Sequence, residues 1–314
     1  MKTQFCIKDP FAYSKMRKSQ SAMEYLMTYG WAILIIAIVL VALFSLGIFN
    51  SANFAPRAQP GSCEVLRNSA QTSLVGQCNG MLPEYVAQFS QTNISYVTAT
   101  LPTQSGQNVT LSFWIDPVNL GTYGDNCYTD NHWQMIFQNT GSSFYVDLET
   151  CGSGNDPNPH LDWNVGTSRI SLYTTGKTLT ANIWQNVVVV FNGTFMTIYL
   201  NSLPVVGPTS SNGSKISPYT SIQISSSSPL PNIGDNPISG SVSNFQLYNA
   251  SLSNSSIEAL YKEGIGGAPI DVNNLIGWWP LNGNANDYSG NDNNGNSPAN
   301  VTYTSAWISG YSTP

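Results

Sequence analysis

The chain has 314 residues, room for one large domain or two small ones, and carries 17 acidic against 11 basic side chains, a formal net charge of −6. Charged residues make up only 9% of it, far below the roughly 25% of an average soluble domain, so its surface is made chiefly of hydroxyls and amides. Lys2, Lys8, Lys15, Arg17 and Lys18 all precede the first apolar run, and only Arg57, Arg67, Arg169, Lys177, Lys215 and Lys262 follow it; the acidic remainder excludes nucleic acid as a partner, because phosphate binding needs a basic patch.

The first predicted element lies in "RKSQSAMEYLMTYGWAILIIAIVLVALFSLGIFN", residues 17–50. No charge falls between Trp31 and Phe49, and as a helix that stretch rises roughly 28 Å, close to the hydrocarbon core of a bilayer. The basic residues ahead of it hold the N-terminus in the cytoplasm and send residues from about 51 onward outside. The expectation is a single-pass protein of the cell membrane with an extracellular C-terminal domain at the cell surface. The apolar run is longer than a secretory signal core and no A-x-A site follows, so the helix stays with the mature protein. At its entrance Ser21-x-x-Glu24 fits a capping box, with the carboxylate complementing the helix dipole.

Residues 51–62, "SANFAPRAQPGS", read as a Pro/Ala/Ser linker without periodicity. From about 81 the pattern turns to strands. In "NVTLSFWIDP", Val109, Leu111, Phe113 and Ile115 alternate with polar neighbours until Pro117 ends the strand. In "WQNVVVVFNGTFMTIYLNSLPV" two apolar runs flank Asn192-Gly193, the strongest short hairpin signal. "MIFQNTGSSFYVDLE" gives a second hairpin and "GSVSNFQLYN" another alternating strand. One short helix is predicted from Ser255 to Lys262, capped by Ser253 or Asn254, braced by a Glu258–Lys262 pair and stopped by Gly264. Many short strands with regular turns and one small helix make the fold mainly β, an antiparallel sandwich.

Two stretches resemble known families. "SQSAMEYL" resembles the class III signal peptide of archaeal type IV pilin-like proteins, in which a basic leader is cut just before a Gln and a Glu occupies the fifth mature position. The resemblance implies cleavage between Ser19 and Gln20 by a prepilin-type peptidase, and pairing of the new Gln20 ammonium with Glu24 of a like subunit in a filament. Ser19 stands where members usually carry Gly, which leaves cleavage open. The series "YVAQFSQTNISYVTATLP", "VTLSFWIDP", "WQNVVVVFNGTFMTIYLNSLPV" and "PNIGDNPISGSVSNFQLYNASLSNSSIEALYKEG" resembles the LamG-like (concanavalin A-like) jelly roll. "LIGWWPLNGNANDYSGNDNNG", residues 275–295, resembles the stretch that opens such a domain, yet here it follows the closing helix. The resulting layout is a leader (1–19), a pilin-like transmembrane helix (20–50), a linker (51–80), the jelly roll (81–265) and a C-terminal segment (266–314) docked on the same sandwich. Docking as a strand sends the adjacent Trp278 and Trp279 to opposite faces, one buried and the other near the surface or under a loop.

Four cysteines would face an oxidising compartment: Cys63, Cys78, Cys127 and Cys151. They allow three pairings, of which proximity favours Cys63–Cys78 with Cys127–Cys151. Without C-x-x-C or a nearby His pair, zinc on these thiols is disfavoured.

Catalysis finds little support. His132 and His160 lie in Gly/Asn/Asp-rich loops with no nucleophile motif beside them. Sugar-cleaving enzymes need paired carboxylates in a cleft, and Asp147 and Glu149 alternate as D-x-E on one strand; they read as solvated surface carboxylates, and the chain is expected not to be an enzyme. No cofactor is required. An oxygen-only loop holding Asp287, Asn291 and Asp292 is suited to calcium, but Asn/Asp/Gly loops also form turns with no metal, and both readings stay open. Asp125, Asp130 and Asp156 in the insertion offer a weaker set. Sequons at Asn93, Asn108, Asn212, Asn249, Asn254 and Asn300 are glycosylation candidates, while Asn192 sits in a tight turn that a glycan must clear. Two functions fit: adhesion through recognition of an extracellular glycan or surface protein, with Tyr123, Tyr128 and Trp133 placed for stacking, or a purely structural pilus subunit. A concanavalin A-like enzyme acting on glycosides is the distant third.

Overall fold

In the computed structural model an unbroken helix, α1 (Arg17–Ser45), opens the described chain. Described are residues 17–46, 48, 49, 52, 54–118, 120, 133–141, 143–149, 160–166, 170–174, 179–227 and 236–314. They form two units, residues 1–53 and 54–314. No Pro or Gly interrupts α1 before Gly30, and it is already helical at Ser21 and Glu24. The capping-box reading is therefore corrected: these two residues lie inside the helix, because Arg17 to Gln20 contain nothing that stops it from starting upstream. Its Tyr25–Ser45 portion, 21 residues, is long and apolar enough to cross a membrane. Apolar side chains such as Trp31, Ile35 and Val41 are exposed all around it, the surface that lipid rather than a protein core would cover.

The second unit begins with β1 (Arg57–Ala58), followed by β2 (Cys63–Arg67) and β3 (Thr72–Gly76), which pair antiparallel. A Cys63–Cys78 disulfide closes this hairpin. The stretch is thus no simple linker. Arg67 donates to the carbonyls of Ser289, Val272 and Leu275 at 2.8, 2.7 and 3.1 Å, and the Val65 amide donates to Tyr288. Strands this short and this polar carry too weak an alternation to be seen in sequence.

The strands that follow are β4 (Leu82–Pro83), β5 (Val86–Phe89), β6 (Tyr96–Gln104), β7 (Asn108–Pro117), β8 (Trp133–Asn139), β9 (Phe144–Glu149) and β10 (His160–Val165). After them come β11 (Ile170–Tyr173), β12 (Gln185–Asn192), β13 (Phe195–Leu200), β14 (Leu203–Ser210), β15 (Tyr219–Ser225), β16 (Asn236–Pro237) and β17 (Gly240–Tyr248). The chain closes with α2 (Asn254–Glu263), β18 (Leu275–Trp279), β19 (Gly295–Ala299) and β20 (Thr302–Thr304). One sheet runs β11-β10-β9-β8-β15-β6-β19 and the other β14-β13-β12-β7-β17-β5-β20, a jelly-roll-like sandwich. The Asn192-Gly193 turn joins β12 and β13 in the expected register, with Phe191 opposite Met196. Asn192 Oδ1 accepts from the Thr194 and Phe195 amides, which holds the turn. α2 has Ser253 as its N-cap, accepting from the Ser256 amide, and ends at Gly264 with φ 79°.

The core between the sheets stacks Phe245 on Phe113 and on Phe137 at 5.7 and 5.6 Å between ring centroids. The C-terminal segment is built into it. β18 pairs with the second half of β17, Phe245 opposite Trp279, while β5 pairs with the first half, so the two strands share one edge of β17. Trp279 enters the main core; Trp278 faces the other way, into a second cluster with Val65, Ile257 and Leu260 beneath the hairpin and α2. Both tryptophans are buried, at 2% and 0% exposure for Trp278 and Trp279, because that outer face is roofed rather than open.

Candidate functional site

The outer face of β9 and β10 gathers charge where the sheet pattern predicts water. Alternation sends Phe144, Val146 and Leu148 of β9, with Leu161, Trp163 and Val165 of β10, into the core. It leaves Asp147 and Glu149 on the opposite face with His160 and Asp162, and the register sets Asp147 opposite Asp162 and Glu149 opposite His160. The His160 Nε2 lies 3.2 Å from the Glu149 Oε2, their side chains only 7% and 12% exposed. Asp147 is 7% exposed. The reading of Asp147 and Glu149 as solvated surface carboxylates is thereby corrected.

Burial has a chemical consequence here. Desolvation pushes the Asp147 carboxyl well above the ordinary carboxylate range; the charges of Asp162 and Glu149 add to this, and His160 opposes it. Asp162 is pushed up to about 6, first by burial, with His160 lowering and Glu149 raising it. The Oδ1 atoms of Asp147 and Asp162 accept no hydrogen bond among the described residues, nor does the Trp133 Nε1 donate one. Trp133 stands opposite Glu149 on β8. Sequence reasoning missed His160 and Asp162 as partners of the D-x-E pair. The signal was present as a second alternating pair, His160-x-Asp162, but linking the two requires the β9–β10 register.

A second feature is a polar hollow of about 280 Å³, open to solvent, where the β6 end, the β17–β18 connection and the loop before β19 meet. Gln104, Asn249, Asn273, Asn274, Asn291 and Asn293 line it. The amide nitrogens of Asn291 and Asn293 donate to the backbone carbonyls of Leu275 and Ile276 at 2.8–3.0 Å, and that of Gln104 to Pro102 at 2.8 Å. Those bonds fix the amides, and the carbonyl oxygens of the same side chains accept none among the described residues.

The loop considered for calcium lies beside this hollow. Asp287 Oδ1 accepts from the amides of Trp278 and Ser289, and its Oδ2 from the Asn293 amide and the Ser289 hydroxyl, all at 2.8–2.9 Å. Asn291 is committed to the β18 carbonyls, and Asp292 is exposed. The carboxylate closes the turn by itself. Asn93, Asn108, Asn212, Asn249, Asn254 and Asn300 are all exposed; Asn254 also accepts from the Tyr199 hydroxyl at 2.7 Å. Ser19 and Gln20 fall within α1 with Glu24. Cys127 and Cys151, with His132, Tyr123, Tyr128, Asp125, Asp130 and Asp156, lie outside the described residues.

A family model described as the concanavalin A-like lectin/glucanases superfamily, of laminin G type, matches residues 91–258. The chain belongs to this superfamily. Among solved structures, a candidate carbohydrate binding protein from Bacteroides ovatus is similar over 76% of this chain and 64% of its own, at 15% identity and a TM-score of 0.53. The heptameric SAP-like pentraxin of Limulus polyphemus is similar over 70% of this chain and 94% of its own, at 15% identity and a TM-score of 0.49. The chain thus spans just under two thirds of the Bacteroides protein, and likeness at this identity shows the concanavalin A-like fold alone. No curated protein matches the chain by sequence.

Proposed function

We propose that this is a membrane-anchored surface protein whose sandwich binds a carbohydrate, serving adhesion or recognition and not catalysis. The observation that carries the reading is the amide-lined hollow. Primary amides offer both donors and acceptors to sugar hydroxyls, and the backbone bonds of Asn291, Asn293 and Gln104 hold them oriented before a ligand arrives. Membership of a lectin-containing superfamily supports it, as does the Tyr25–Ser45 span, which would tether the sandwich outside the membrane with the N-terminus inside. Unglycosylated full-length protein in detergent, screened against immobilised neutral oligosaccharides, should bind a defined subset, and Asn274→Ala should weaken that binding at least tenfold. No binding at millimolar sugar would end the reading.

A second reading, a filament subunit, is favoured by one observation. Glu24 sits on a helix that runs without a break from the basic leader into the apolar span. Cleavage between Ser19 and Gln20 would expose an ammonium for Glu24 of a neighbouring subunit, a pair strengthened in low dielectric. N-terminal sequencing of the surface protein tests this: Gln20 as first residue supports processing, and an intact leader removes it.

A further inference from the structure

We propose that Glu149, His160 and Asp162, with Asp147 behind them, hold one divalent first-row transition metal ion on the outer face of β9 and β10. Glu149, His160 and Asp162 each bring one donor atom within 4.8 Å of the others. Donors around such an ion lie roughly 2.0–2.2 Å from it, hence no more than about 4.4 Å apart, so closure needs a shift of only a few tenths of an ångström.

Two observations beyond proximity point to a ligand. Asp147, more than nine-tenths buried, carries an Oδ1 with no partner among the described residues. It lies on the same face as Glu149 and directly opposite Asp162, whose own buried Oδ1, inside the three-residue cluster, also has no partner among the described residues. The second is charge: three carboxyl groups and one imidazole share a face largely shut off from water, where the carboxyls can be ionised together at low cost only if a cation offsets them. The donor chemistry narrows the ion. Calcium and magnesium take oxygen alone, whereas one imidazole nitrogen among carboxylates suits zinc or manganese. β9 supplies Glu149 and β10 supplies His160 and Asp162, so the site rests on paired strands whose inner faces are locked in the core.

The test uses the full-length chain in detergent, dialysed against a chelator and then titrated separately with Zn²⁺, Mn²⁺ and Ca²⁺. Zn²⁺ or Mn²⁺ should bind at one ion per chain by calorimetry and elemental analysis. At about 100-fold above its Kd it should raise the unfolding midpoint by roughly 5–10 °C. Asp162→Asn and His160→Gln, each close in size to the native side chain, should weaken that ion at least tenfold while leaving the chelated midpoint within a few degrees. Should His160→Gln fail to fold, Asp162→Asn carries the comparison alone. Preference for Ca²⁺, no stoichiometric binding, or unchanged affinity in the folded variant would each overturn the site.

Discussion

Polar side chains are buried on the outer faces of both sheets, yet the β17–β18 pair and the β9–β10 pair treat them in opposite ways. On β17 and β18 no buried side-chain polar atom is left without a partner among the described residues. Asn244 Nδ2 donates to Gly267 at 2.8 Å, Asn244 Oδ1 accepts from Trp278 Nε1 at 2.7 Å and from Gln246 Nε2 at 2.9 Å, and the Tyr248 hydroxyl donates to Gln246. On β9 and β10 the Asp147 and Asp162 Oδ1 atoms and the facing Trp133 Nε1 are left without partners among the described residues. A closed network of this kind specifies packing; an open one holds unfavourable energy that a ligand can relieve. The first region is scaffold, and the second is where the proposed ion would relieve that cost.

The sharpest way to break the comparison is to remove the scaffold. Ending the chain after Gly266 deletes β18, β19 and β20, strips Trp279 and Leu281 from the core and bares an edge of β17. That chain should lose cooperative unfolding altogether, and an unchanged midpoint would mean the segment contributes nothing. Next in size is the hairpin. Cys63→Ser opens a disulfide spanning 15 residues, a loss of about 3 kcal/mol. The midpoint should fall by roughly 6–12 °C, and a drop below 2 °C would detach the hairpin from the account.

A smaller effect sharpens the contrast through pH. Asp116 on β7 is half-buried, with Oδ1 unpartnered among the described residues, and burial raises its carboxyl to about 6. Because the folded value exceeds the unfolded one, the folded state binds the extra proton, so this group's contribution is greatest below about pH 4 and is lost as pH rises to about 6. Asp116→Asn should flatten that window by a few degrees of midpoint; an unaltered profile would reject the assignment. Smallest of all is Lys262→Ala on α2, whose partner Glu258 is as exposed as it is. Thermal scans should not distinguish it from the native chain.

How legible this was depended on the range of the interactions. The β12–β13 hairpin and the caps of α2 are written in a few adjacent residues each, and the structure agrees with both. Neighbour-to-neighbour chemistry fixes them. β17 is a strand as expected, but it is buried on both faces and a bulge breaks its alternation. The hairpin at Cys63–Gly76 was hidden because Arg67 and Val65 find their partners more than 200 residues away. The bulge after Ser243, where Asn244 takes φ 52°, was equally invisible, although it is what turns the Asn244 amide toward Trp278. At the candidate site, D-x-E is visible in the sequence but its burial is not. Composition places carboxylates in water, and only the pairing of Asp147 with Asp162 reveals four ionisable groups crowded onto two strands.

One pair of thermal unfolding curves, recorded in chelator at neutral pH, tests the difference between the two faces most directly. Asn244→Ala leaves Trp278 Nε1 and Gln246 Nε2 without their shared acceptor and should destabilise by about 2 kcal/mol. Asp147→Asn removes a carboxyl that burial and the facing Asp162 and Glu149 make costly to ionise, and supplies an amide that can donate to them, so it should raise the midpoint. Opposite signs are the predicted result. A lowered midpoint for Asp147→Asn would mean that the β9–β10 face is as fully satisfied as the β17–β18 face, and the account would be contradicted.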